Sequence, residues 1–140
     1  MSADTRDLLH SEVRHVAEAI AAAHHLQARV EIAIGTPVLM NEALPSSWAQ
    51  RAVQNLMGNE AIVPLGFLNM AGEDFAFYLE KIPGAFLRIG AREPGGEATP
   101  AHAPHFYPAE ESIFIGAAVL AETARVASAA LCDEKPHLKI

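Results

Sequence analysis

Between His10 and His25 the apolar residues Val13, Val16, Ala17 and Ile20 recur at helical spacing, which predicts an amphipathic helix with Ser11 near its start as a cap. The period then changes. Val30, Ile32 and Ile34 alternate with Arg29, Glu31 and Ala33, the pattern of a strand with one buried face, stopped by Gly35 and Pro37. One helix and one strand cannot close a core, so this pair has to lean on other polypeptide, in this chain or in a partner. Past Asn41, Pro45-Ser46-Ser47 opens a helix with Ala49, Ala52, Val53 and Leu56 on one face and Gly58 as its stop. Ile62, Val63 and Leu65 predict a short buried strand. Glu73 and Asp74 open the next helix, where carboxylates suit the positive end of the dipole, and Phe75, Tyr78, Leu79 and Ile82 line its face up to Pro83-Gly84. Phe86, Leu87 and Ile89 predict another strand. Residues 90–108 hold four prolines and the pair Gly95-Gly96, hence a long loop of the kind that carries function in compact domains. A last helix runs from Glu110 to Leu131 with Ile113, Ala117, Leu120 and Ala124 on one face, and the tail from Asp133 is expected to fray.

From Asn41 onward the order is helix, strand, helix, strand, loop, helix. This predicts an α/β fold, a sheet covered by helices, with the segment before it belonging to something else. At 140 residues and 51% hydrophobic, the chain is sized for one domain and is not disordered. Seventeen acidic residues against ten basic ones give a net charge of -7 with no basic cluster, a field that repels phosphate backbones and argues against nucleic acid as a partner. Cys132 is the single cysteine and the polar opening Met1 to Asp7 lacks a signal-peptide core, so a reducing cytoplasmic location is expected. The most apolar run, Ile113 to Leu131, is interrupted by Glu122 and Arg125 and falls short of the roughly 18 uncharged residues of a membrane span, so no membrane partner is expected.

Candidate chemistry sits in three segments. They are Met70-Ala71-Gly72-Glu73-Asp74-Phe75-Ala76-Phe77-Tyr78, then Pro83 to Gly90, then His102-Ala103-Pro104-His105-Phe106. In this order they resemble the C-terminal part of the metal-dependent amidohydrolases and peptidases of the aminoacylase, hippurate hydrolase and indole-acetyl-amino-acid hydrolase type. Amide hydrolysis at neutral pH needs a better nucleophile than water, and a bound divalent metal provides one by lowering the pKa of its water to about 7. The resemblance implies two such ions, zinc or manganese, held between a cysteine or aspartate, several histidines and a glutamate, with an adjacent glutamate as general base. Nearly all of those groups come from the first half of the full-length protein.

His102, followed by Pro104 and Phe106, matches the family's late metal-ligating histidine; on composition alone it would be an ordinary loop histidine. His105 is left to solvent, because a loop gives no helical reason for both imidazoles to face one site. His10, His15, His24, His25 and His137 read as surface residues. Glu73-Asp74-Phe75 matches the family's EDF signature, which implies a carboxylate that supports the metal ligands or orients substrate; the alternative is that both acids merely favour the helix start. Gly72 and Gly90 would let backbone approach the site closely, or simply serve turns, where glycine is common. Glu110-Glu111 opens the last helix and is not the catalytic pair. No Cys-Gly-His-Asp type motif occurs and Cys132 lies in the closing helix, so no catalytic residue is expected here and the general base lies upstream.

The resemblance implies a zinc-exopeptidase-like catalytic domain, the second half of a helix-covered mixed sheet, in residues 41–140. Residues 1–40 would be the last helix and strand of an α+β lid or dimerisation domain. The implied function is the C-terminal portion of a two-metal amidohydrolase acting on N-acyl amino acids, such as hippurate-like substrates, or on small peptides, and inactive alone. The implied partners are the missing N-terminal catalytic half, the small-molecule substrate and a second copy bound through the lid. Two other readings are a non-catalytic remnant serving as a binding or assembly module, and a small α/β domain whose resemblance is accidental.

Overall fold

The computed structural model describes residues 2–67, 69 and 71–133. Among them the elements are α1 (Ala3–Ala23), α2 (Ala43–Met57), a single 3-10 turn (Asn59–Ala61), α3 (Phe75–Leu79) and α4 (Glu111–Asp133). Two compact units emerge. Unit 1 is Met1–Met40 with Asn69–Ile82, and unit 2 is Asn41–Leu68 with Pro83–Ile140.

The expected α/β fold is overturned, because no strand occurs among the described residues. The three segments predicted as strands, around Val30–Ile34, Ile62–Leu65 and Phe86–Ile89, are present as irregular backbone with no sheet. Alternation describes which way side chains point along extended backbone. A strand additionally needs a neighbour whose N–H and C=O groups complete the ladder.

In unit 1, α1 starts seven residues before His10. Ser2 is its cap, with Oγ accepting the Thr5 N–H at 3.1 Å, and Asp4 sits in the first turn where a carboxylate suits the dipole. Ser11 therefore lies inside the helix. At the other end His25 adopts φ 59, its N–H donates to the Ala22 carbonyl at 3.0 Å, and the Leu26 N–H reaches Ala21 at 2.8 Å, the two bonds of a Schellman turn. α1 buries no residue: Leu9, Val13, Val16 and Ile20 are each about half exposed. Tertiary bonding in the unit converges on Thr36, whose carbonyl accepts from Arg6 Nη1 at 3.0 Å. α3 is shorter than its apolar pattern, which predicts a helix through Ile82; the backbone beyond Leu79 continues as turns, with the Lys81 and Ile82 N–H groups both on the Tyr78 carbonyl. Its buried residue is Ala76, while Tyr78 and Ile82 are each 67% exposed.

In unit 2, α2 begins at Ala43, before Pro45. Proline fits there because the first-turn N–H groups have no partner within the helix. α2 packs against α4, burying Ala49 and Ala52 against a face that includes Val119. The face of α4 predicted to be buried is turned outward, with Ile113 and Leu120 67% and 66% exposed. A helix apolar nearly all round leaves periodicity without a preferred side, and the small side chains of α2 select the face that approaches closest. At mid-helix Asn55 Nδ2 donates to Glu122 Oε1 at 2.8 Å, and Arg125 grips both Glu122 oxygens at 2.7 Å. Contrary to the expectation for this run, α4 is by length and composition long and apolar enough to cross a bilayer even with Glu122 and Arg125 in it, with a mean hydropathy of 1.5 over an 18-residue window. The expected frayed tail, apart from Asp133 itself, and His137 lie outside the described residues.

Candidate functional site

Residues 90–108 form the expected long loop in unit 2. Its base is tied where the Ala109 N–H donates to the Ala91 carbonyl at 2.8 Å, and Ala109 is buried. Within the loop the Ala103 N–H bonds the Pro100 carbonyl and the Phe106 N–H bonds the Ala103 carbonyl, each at 3.0 Å. Two consecutive turns result. His102 and His105 occupy equivalent third positions in them, and both side chains are exposed. Turn geometry therefore does not separate the two histidines; the choice between them rests on the sequence motif. Gly90 is exposed, and a Cβ there would meet nothing within 4 Å.

Glu73, Asp74 and Gly72 belong to unit 1. Glu73 Oε1 accepts the Phe75 N–H at 3.1 Å, so this carboxylate satisfies one of the free donors at the start of α3. Its carbonyl accepts from Ala76, and that of Asp74 from Phe77, each at 3.1 Å. Phe75 stacks obliquely on Tyr78, with ring centroids 5.9 Å apart. A Cβ at Gly72 would stand 2.8 Å from Thr36 Oγ1, so any larger residue there would force the Thr36 side chain to shift; Arg6 also bonds the Thr36 carbonyl. Met70, the first residue of this motif, lies outside the described residues.

The predicted site residues thus fall into two sets, Gly72, Glu73 and Asp74 in one unit and Gly90 with His102 in the other. Among the described residues no group of three or more His, Cys, Asp or Glu side chains could hold a metal ion, so these residues do not by themselves fit the metal centre that the resemblance implies. A shallow open recess in unit 2 is lined by Glu93, Tyr107, Glu110, Glu111 and Phe114. It holds carboxylates and no imidazole. Cys132 is exposed near the end of α4.

Among the described residues the one strongly shifted acid lies elsewhere. Hydrogen bonds from Arg125 and then Asn55, reinforced by the guanidinium charge, hold the Glu122 carboxyl well below the usual carboxylate range, at about 2. This group ties α4 to α2, whereas in the sequence Glu122 and Arg125 stand out only as interruptions of an apolar run. Their spacing of three residues on a helix is the signal that points to the pair. Asn41, in the sequence a mere boundary, is a second such residue. Its side-chain carboxamide bonds the Phe86 backbone twice, at 2.8 and 3.0 Å.

Comparison with known proteins bears on both units. The family described as Peptidase family M20/M25/M40 matches residues 7–126. An uncharacterized hydrolase of Sinorhizobium fredii, y4tI, is 33% identical over 103 residues, covering 74% of this chain and 25% of that protein. The N-acetyldiaminopimelate deacetylase of Lacticaseibacillus paracasei is 30% identical over 114 residues, 79% of this chain and 28% of that one. An Arabidopsis thaliana protein named IAA-amino acid hydrolase ILR1-like 6 is 54% identical over 56 residues, 39% of this chain and 12% of its own. The chain spans under a third of the length of these curated relatives. No solved structure matches it. With 120 consecutive residues matched, including the EDF and HxPxF segments, the chain belongs to peptidase family M20/M25/M40.

Proposed function

We propose that this chain forms the C-terminal portion of a metal-dependent amidohydrolase that cleaves the amide bond of N-acyl amino acids or small peptides. The observation that carries the reading is the family match over residues 7–126, within which the two chemistry-bearing motifs fall. Residues 1–40 serve as the end of a lid through which two copies pair, and residues 41–140 as the later part of the catalytic domain. His102 ligates a zinc or manganese ion. Glu73 or Asp74 supports the ligands or orients the substrate, with Gly72 next to them in sequence and Gly90 at the start of the loop that bears His102. The general base and the other ligands belong to polypeptide outside these residues, in keeping with a chain that spans under a third of the length of its hydrolase relatives. The working compartment is the cytoplasm.

The test is hydrolysis of N-benzoylglycine and of N-acetyl amino acids with zinc or manganese. The 140 residues alone are expected to give no turnover above background, and turnover is expected when polypeptide carrying the other ligands is supplied. Metal-dependent turnover that co-purifies with the chain alone and disappears on chelation would overturn the division of labour. A second reading, a non-catalytic binding or assembly module, is favoured by the exposed apolar stripe of α1. Persistent inactivity after complementation would select it.

A further inference from the structure

We infer that Asn41 is a positioning residue for the loop that bears His102. The inference deepens the proposed function and rests on it for the role of that histidine. All of its geometry lies in unit 2. Asn41 Nδ2 donates to the Phe86 carbonyl at 3.0 Å, and Asn41 Oδ1 accepts the Phe86 N–H at 2.8 Å. The next residue adds a third bond, from the Glu42 N–H to the Gly84 carbonyl at 2.9 Å. A carboxamide presents donor and acceptor side by side, so Asn41 gives Phe86 the reciprocal pair that a residue on a neighbouring extended chain would give. Neither the carboxylate of aspartate nor the hydroxyl of serine matches that pattern with the same geometry.

The chain then runs from Phe86 towards the loop under two further restraints. Ile89 lies against α4, where a Cβ placed on Gly116 would be 3.7 Å from Ile89 Cγ1. The Ala91 carbonyl receives the Ala109 N–H at 2.8 Å and closes the loop. Asn41 acts on this tie through Phe86, by fixing the start of the short segment that brings Ala91 to Ala109. Where Phe86 is held sets which residue arrives at the tie, and the tie limits the conformations open to His102.

Amide hydrogen exchange on the full chain tests this. Asn41→Ala should speed exchange about tenfold at Phe86, the effect of losing a hydrogen-bond pair, and also at the remote Ala109, while Ala52 and Val119 keep their rates. Asn41→Asp keeps the acceptor and loses the donor, so it should give a smaller acceleration at the same two amides; it decides the matter if the alanine variant does not fold. Unchanged exchange at Ala109, or acceleration spread evenly through α2 and α4, would overturn the inference. In the hydrolysis-competent polypeptide, Asn41→Asp should lower kcat about tenfold with KM unchanged, and an unchanged kcat would likewise overturn it. Failure of the functional reading has a different signature: hydrolysis stays absent after complementation, or survives His102→Ala, while the exchange pattern at Phe86 and Ala109 is as expected.

Discussion

α1 and α4 are of similar length, 21 and 23 residues, but they solve the problem of their apolar surface differently. α1 has the cleaner amphipathic stripe. Leu9, Val13, Val16 and Ile20 recur at spacings of four, three and four, yet among the described residues of unit 1 α1 packs on no other helix and all four remain half exposed. α4 has a poorer pattern, apolar on most sides, and still fixes one face against α2 because Ala49 and Ala52 let the backbones approach and Val119 fills the contact. The comparison teaches that periodicity proposes a face and only a complementary surface buries it. It also divides the candidate chemistry, with the EDF carboxylates in the unit of α1 and the histidine loop in the unit of α4.

The largest expected effect tests that division. In the hydrolysis-competent polypeptide, His102→Ala should lower kcat/KM by about a hundredfold or more, the scale expected when a group at a metal centre is removed. His105→Ala should change little. Glu73→Gln separates the two readings of the carboxylate: a capping role leaves activity near wild type with a slightly frayed α3, because Oε1 still accepts the Phe75 N–H. Equal losses from His102→Ala and His105→Ala in steady-state assays would mean that the motif does not distinguish the two turns.

The next effect is on stability and sets the two helices against each other directly. Val119→Ala removes two methyl groups from a side chain that is 1% exposed, so it should destabilise unit 2 by about 2 kcal/mol in urea unfolding. Val16→Ala makes the same chemical change on α1, where the side chain is 51% exposed, and should alter stability by less than about 0.5 kcal/mol. Similar values for both would show that the α1 stripe is covered in solution. That outcome would erase the contrast between the units.

Much of the helix content is legible in the sequence, and the reasons are local. Gly58 ends α2 where expected, and the proline-rich stretch from Gly90 to Pro108 is a loop held by tight turns. The start of α1 is misplaced because Ser11 looks like a cap while Ser2, with Asp4 behind it, offers a better one. The strands fail for a deeper reason. Val30, Ile32 and Ile34 alternate perfectly, but a ladder partner is a property of distant sequence, and no spacing within the segment reports whether one arrives. At the candidate site, the EDF and HxPxF residues can be picked out by motif, whereas the Glu73 cap, the Thr36 contact at Gly72 and the Asn41 bracket at Phe86 depend on contacts that no one-dimensional pattern encodes.

A pH titration sharpens the contrast further. Glu122 has its carboxyl lowered from 4.5 to about 2 by Arg125 and Asn55 in the folded chain. A depressed carboxylate contributes stability that is fully present above its unfolded value and is lost as the pH falls through the folded value. The α2–α4 contact should therefore weaken between about pH 4.5 and pH 2, and the thermal midpoint of Glu122→Gln should fall less over that window than that of wild type. Parallel pH curves for the two proteins would remove Glu122 from the account of that packing.

The smallest expected effect belongs to the other end of the comparison, where α1 depends on local bonding rather than packing. His25 holds φ 59, a conformation that a side chain with a Cβ disfavours and glycine adopts freely, and it does so to place its own N–H on Ala22 and that of Leu26 on Ala21. His25→Gly should relieve that strain and stabilise the end of α1 by about 0.5 to 1 kcal/mol, with part of the gain offset by the greater freedom of glycine in the unfolded chain. His24 offers the control. Its φ of -103 needs no glycine, so His24→Gly should destabilise the same turn. Amide exchange at Leu26, whose N–H closes the turn, reads the effect locally: it should slow in His25→Gly and quicken in His24→Gly. Equal and opposite-to-expected shifts would mean that the end of α1 is set by contacts with the rest of unit 1, and the description of this helix as locally sustained would have to be given up.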